Sequence, residues 1–175
     1  MEVAGLAERV PDLSLVRHLK AKGRYEEAER QLRIWLDEDP ENPRLVFEMA
    51  VILDNQGREA EAIDFYQSAL DGDLDGAHRI DAMIGLGSSL RVVGRVLESY
   101  QVLEKAHHEY PHHMALAVFY ALTLEQMGNY GEAISTLLQV IAETGREESL
   151  DVYRPAIRYY RDHRHDFRSS RNKKE

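Results

Sequence analysis

The sequence predicts an all-α fold: a right-handed α-solenoid of four helix-turn-helix repeats followed by a C-terminal capping helix. Three observations predict it. Gly23, Gly57, Gly94 and Gly128 recur at separations of 34, 37 and 34 residues, a period of stacked helical pairs. Apolar residues hold fixed offsets on both sides of each glycine. Proline follows two of the glycines at the same distance, seventeen residues on, in Asp39-Pro40 and Tyr110-Pro111.

The helix before each glycine is read from its columns. Leu19, Leu53, Leu90 and Leu124 stand four residues before the glycines, and Leu15, Met49, Leu86 and Tyr120 stand eight before. Offsets of four and eight fall on one stripe of a helix. Beside that stripe Val16, Ala50, Gly87 and Ala121 form a small column where backbones can approach. The glycine ends the helix, because it takes the left-handed conformation that other residues resist. The second helix carries Ala28, Ala62, Ser99 and Ala133, then Leu32, Tyr66, Leu103 and Leu137. Proline stops it by removing a donor and restricting the residue before it; Leu74 and Gly145 stand at that point in the second and fourth repeats. The resulting boundaries are a tail over 1–8, repeats over 9–42, 43–76, 80–113 and 114–147, a capping helix over 149–163 and a basic tail over 164–175. Leu150, Tyr153, Ile157 and Tyr160 recur at helical spacing in the capping segment, and a repeat array needs such a helix over its last unit. Ser149 is its expected N-cap. Pro155 is expected either to kink that helix or to delay its start.

Composition removes several functions. Across 175 residues Lys and Arg total 22 against 31 Asp and Glu, a net charge of −9, so a sequence-independent nucleic-acid binder lacks the cations it needs. There is no cysteine, which excludes disulfides, thiolate metal sites and a cysteine nucleophile. The start MEVAGLAERV has no basic run before an apolar one, so no secretory leader is expected. No apolar stretch reaches the roughly 20 residues of a membrane span. The expected location is the cytoplasm.

Two clusters invite a metal reading. DGDLDG, from Asp71 to Gly76, opens like a calcium loop. A bidentate glutamate is required at the twelfth position, and Ala82 stands there, with Arg79 at the ninth. The three residues that lengthen the second spacing fall at or just beyond this stretch, so its aspartates read as turn formers and helix caps. His107, His108, His112 and His113 form the second cluster. It spans a helix end and a proline turn without HExxH spacing, and a helix C-terminus favours histidine electrostatically. The pair His163 and His165 beside Asp166 reads no more strongly. No metal or cofactor is expected. No nucleophile with a neighbouring base is visible, Ser88 and Ser89 included, so no enzyme is expected.

The turn segments KGRYEEAE, QGREAEAI, VGRVLESY and MGNYGEAI resemble the tetratricopeptide repeat family, across residues 9–146. ALDGDLDGAHRIDAMIGLGSSLRVVG, with FYALTLEQMGNYGEAISTLL, is similar to the group 5 tetratricopeptide proteins of bacteria. The resemblance implies a small bacterial protein. Departures are Trp35 in a column that is usually alanine, Glu59 and Val96 for the turn tyrosine, Leu74 for a proline, and Asp12 in an aromatic place. Members of the family that grip a chaperone C-terminal carboxylate use lysine, asparagine and arginine at places held here by Leu13, Arg17, Glu48, Asp81 and Gly85. Two acids there repel a carboxylate.

The concave side of such a stack is lined by the first helix of each pair. Offsets of thirteen, ten, six and three before each glycine select Val10, Leu13, Arg17 and Lys20; Arg44, Phe47, Val51 and Asp54; Asp81, Ile84, Ser88 and Arg91; and Ala115, Val118, Leu122 and Glu125. Leu13, Phe47, Ile84 and Val118 make an apolar row with polar flanks. That chemistry suits a peptide or an amphipathic helix, and packing of the row inside the stack is the competing reading. The expected function is a non-enzymatic adaptor that binds a protein or peptide, without nucleic acid or membrane. The alternatives are a self-assembling module and a histidine-based metal sensor or enzyme. Aspartate at Phe47 and Ile84 is expected to abolish binding with helicity intact.

Overall fold

The computed structural model describes residues 11–144 and 153–162. Every regular element among them is a helix: α1 (Leu13–Ala21), α2 (Tyr25–Glu38), α3 (Pro43–Asn55), α4 (Glu59–Asp71), α5 (Gly76–Val92), α6 (Val96–Glu109), α7 (Met114–Gln126), α8 (Tyr130–Thr144) and α9 (Arg154–Asp162). The chain divides into two compact units, Met1–Ala82 and Met83–Glu175.

One turn design serves both. The four turn glycines have φ of +69°, +73°, +86° and +79°, the left-handed region where a side chain is strained. The residue after each glycine sends its N–H back to the leucine column: Arg24 to Leu19, Arg58 to Leu53, Arg95 to Leu90 and Asn129 to Leu124, at 2.8–3.0 Å. These bonds satisfy carbonyls that a helix end otherwise leaves unpaired. The same residue then holds a glutamate three positions on, in Arg24–Glu27, Arg58–Glu61, Arg95–Glu98 and Asn129–Glu132. Each turn is thus stapled at both the end of one helix and the start of the next.

In the first unit α1 packs on α2, α2 on α3 and α3 on α4. Val16, Leu19, Ala28, Leu32, Met49, Ala50, Leu53, Ala62 and Tyr66 are buried along the expected columns. Each large side chain there contributes about 1.5–3 kcal/mol by leaving water. Leu15 departs from its column and stays 43% exposed, since no described helix precedes α1 to cover it. Asn42 caps α3, accepting from the N–H groups of Arg44 and Leu45 at 3.1 and 3.2 Å. In the DGDLDG stretch α4 ends at Asp71 and α5 begins at Gly76. Asp75 accepts from the His78 N–H at 3.2 Å and meets the His78 ring Nδ1 at 2.5 Å. Arg79 donates to the Leu70 carbonyl at 3.0 Å. The connector is a capped turn.

In the second unit α6 packs on α7, α7 on α8 and α8 on α9. The end of α5 joins α6 at Gly87 and Leu103. A Cβ built on Gly87 would lie 2.4 Å from the Leu103 Cγ, so the Leu103 side chain packs directly on the Gly87 backbone. Ser99 replaces the alanine of its column and is fully buried. Its hydroxyl donates to the Gly87 carbonyl at 2.6 Å and lies 3.0 Å from the Thr123 hydroxyl, which removes the penalty of burying it. Against α8, Arg154 of α9 donates to the Ala142 carbonyl at 2.7 Å. Pro155 sits in the first turn of α9, where its missing N–H is not required. Val10, Ser149, Leu150, His163, His165, Asp166 and both tails lie outside the described residues.

Candidate partner-binding surface

In the first unit, Arg17, Lys20, Arg44, Phe47, Glu48, Val51, His78 and Asp81 line a pocket of about 400 Å³. It gathers α1, α3 and the first turns of α5. Five of its residues are on the face selected by the glycine offsets, and Asp81 is on the same face of the next repeat. Leu13, half-buried on α1, and Asp54 are not part of this lining. Asp54 instead accepts from the Tyr66 hydroxyl at 3.3 Å. Burial, and then the Asp54 charge, push the Tyr66 hydroxyl well above its ordinary value.

The pocket floor is ionic rather than apolar. Glu48 is 2% exposed and is held by Arg44 Nη2 at 2.6 Å and Lys20 Nζ at 3.5 Å. A carboxylate this deep requires such partners. Phe47 corrects the expectation of a continuous exposed apolar row. It is 5% exposed, with His78 edge-on at 5.6 Å, Tyr66 tilted at 6.3 Å and the Arg44 guanidinium 5.6 Å above the ring. His78 was missed by the sequence reading. It stands three residues before Asp81, and extending the thirteen-ten-six-three series one step would have found it.

In the second unit Ile84, Ser88 and Arg91 lie along α5, all partly exposed. On α7, Val118 is half-buried, Leu122 is 40% exposed and Glu125 is exposed. These α7 side chains form a short apolar strip ending in a carboxylate.

Two members of the histidine cluster are occupied by the fold of the second unit. His113 caps α7, its Nδ1 accepting from the Leu116 N–H at 3.2 Å. His107 stacks on Tyr120 with ring centroids 5.1 Å apart, and its buried Nδ1 has no hydrogen-bond partner among the described residues. Burial, then the neighbouring His108, pull the His107 pKa below its ordinary value, while Glu132 opposes them. The folded chain therefore binds this proton less readily than the unfolded chain. Stability from neutral His107 is complete above about pH 6.5 and falls as pH drops below it. Denaturant unfolding between about pH 5 and 7 should show a steeper fall in stability with falling pH for wild type than for His107→Phe. Equal slopes would refute the assignment.

Hairpins of helix joined by left-handed glycine turns, with ionic and apolar side chains on the first helix of each pair, define an α-helical repeat protein. The pattern of the family described as Tetratrico peptide repeat matches residues 43–163, more than half of the chain, and the chain belongs to that family. The residues before 43 repeat the same turn at Gly23. Superkiller protein 3 of Saccharomyces cerevisiae is 32% identical over 94 residues, which are 54% of this chain and 6% of that protein. Among solved structures, MamA from Desulfovibrio magneticus RS-1 is similar at a TM-score of 0.67 and 17% identity, covering 85% of this chain and 82% of the other. PilF of Pseudomonas aeruginosa gives 0.65 and 21%, covering 84% and 66%. YrrB, a TPR protein with an unusual peptide-binding site, gives 0.66 and 18%, covering 75% and 66%. These likenesses show the fold. No helix among the described residues is long and apolar enough to cross a membrane.

Proposed function

We propose that the protein is a non-enzymatic adaptor of the bacterial cytoplasm that binds a peptide or helical segment of another protein through the first helices of its repeats. The observation that carries this reading is the pocket of about 400 Å³ in the first unit, where Lys20 and Arg44 hold the buried Glu48 carboxylate and Arg17 lines the same space. Glu48 engages Lys20 and Arg44, and Arg17 remains exposed at the mouth. A bound segment would meet polar groups at this pocket, and in the second unit Val118 and Leu122 on α7 offer an apolar strip of their own. Peptide binding by YrrB supports the reading by analogy of fold.

The test is affinity capture from the source cells with wild type, Arg17→Glu and Leu122→Asp. Both side chains are exposed, so both variants should keep the wild-type circular dichroism. Each is expected to lose most of the partner that the wild type retains. Full retention by both variants would overturn the assignment of this face.

A further inference from the structure

A second cleft in the first unit lies away from that face, between α2 and α4 and over the start of α3. Its volume is about 400 Å³, and Leu36, Val46, Met49 and Phe65 supply its apolar floor. None of these residues lines the pocket around Glu48. Leu36 and Phe65 are only partly covered, whereas Met49 is fully buried beneath them.

The rim is what gives the cleft a preference. Arg33 lines it, but its guanidinium is engaged by Glu29 at 2.5 Å. Asp37 and Asp64 are exposed on α2 and α4. Neither has a hydrogen bond or ion pair among the described residues. The cleft therefore combines an apolar floor with two unopposed negative charges contributed by two different helices. The complementary guest has an apolar side chain with positive charge beside it, since opposed potentials steer encounter and fix register. Acidic guests are repelled by the same pair.

We propose that the cleft between α2 and α4 is a second docking site, for a partner segment that presents an aromatic side chain flanked by arginine or lysine. The aromatic ring enters the floor over Leu36 and Phe65, and the flanking cations reach Asp37 and Asp64. This site stands independently of the face around Glu48.

The probe is a capped pentapeptide, Gly-Arg-Phe-Arg-Gly, titrated into the full chain and followed by backbone amide shifts. Saturable shifts are expected on α2 and α4. Asp37→Asn combined with Asp64→Asn should weaken binding about tenfold, and Ser68→Trp, at the exposed mouth, should block it. The acidic counterpart Gly-Glu-Phe-Glu-Gly should cause no saturable shift, and Arg17→Glu should leave the titration unchanged. The proposal is overturned if the acidic peptide binds equally, if the double asparagine variant stays within about twofold of wild type, or if the shifts fall on α1. Asp37 and Asp64 are exposed, so the asparagine variant decides the matter even if Ser68→Trp fails to fold. A positive titration alongside retained capture by Arg17→Glu would separate this site from the proposed adaptor face.

Discussion

Phe47→Asp is expected to destabilise the protein by about 3–5 kcal/mol, the range for emptying a buried phenylalanine site. The ring is 5% exposed and packed against Tyr66, His78 and the Arg44 guanidinium. Aspartate fills a small part of that volume. Arg44 could approach the new carboxylate, but it already serves Glu48 at 2.6 Å, so the lost volume dominates. Urea unfolding followed by circular dichroism measures the effect. A loss under about 1 kcal/mol would show that the ring is not a packed residue. The consequence for function is direct. A binding defect in Phe47→Asp reports unfolding, not contact with a partner, whereas Leu122→Asp, on a side chain 40% exposed, should change stability by no more than about 0.5 kcal/mol.

Gly87→Val should have the next largest effect, a destabilisation of about 3 kcal/mol, at the upper end of ordinary overpacking. Removing glycine from a helix interior is itself favourable by about 1 kcal/mol when alanine replaces it. That gain is outweighed here. A Cβ at position 87 would stand 2.4–2.7 Å from three atoms of Leu103, and Leu103 is 0% exposed with nowhere to move. Separating α5 from α6 would also stretch the bond from the Ser99 hydroxyl to the Gly87 carbonyl. A double-mutant cycle with Leu103→Ala isolates the cause. The two changes together should cost clearly less than their sum, because the alanine leaves room for the valine. Strict additivity would place the damage elsewhere.

Much of this was legible in one dimension. The leucine column four residues before each glycine is buried in all four repeats, because an offset of four returns to the same side of any helix. Asp75 of DGDLDG read correctly as a cap, since a carboxylate accepting a nearby N–H is a local interaction. Ser99 was placed in the small column, but its hydrogen bonds to Gly87 and Thr123 join residues 12 and 24 positions away, and no periodicity specifies such a partner. Leu15 matched its column and yet stays exposed, because burial there depends on a neighbour that the described residues do not supply.

The sequence by itself determined the helix-turn-helix period, where each hairpin turns and which small and leucine columns face inward. All three follow from contacts within a few positions, fixed by the pitch of the helix and the freedom of glycine. Only the tertiary structure decided which outward side chains remain accessible. Phe47 is covered because α5 starts early enough to lay His78 across it, and Asp37 and Asp64 flank one cleft because α2 and α4 both pack against α3. Both outcomes depend on distances between helices, which the spacing of residues along the chain does not encode.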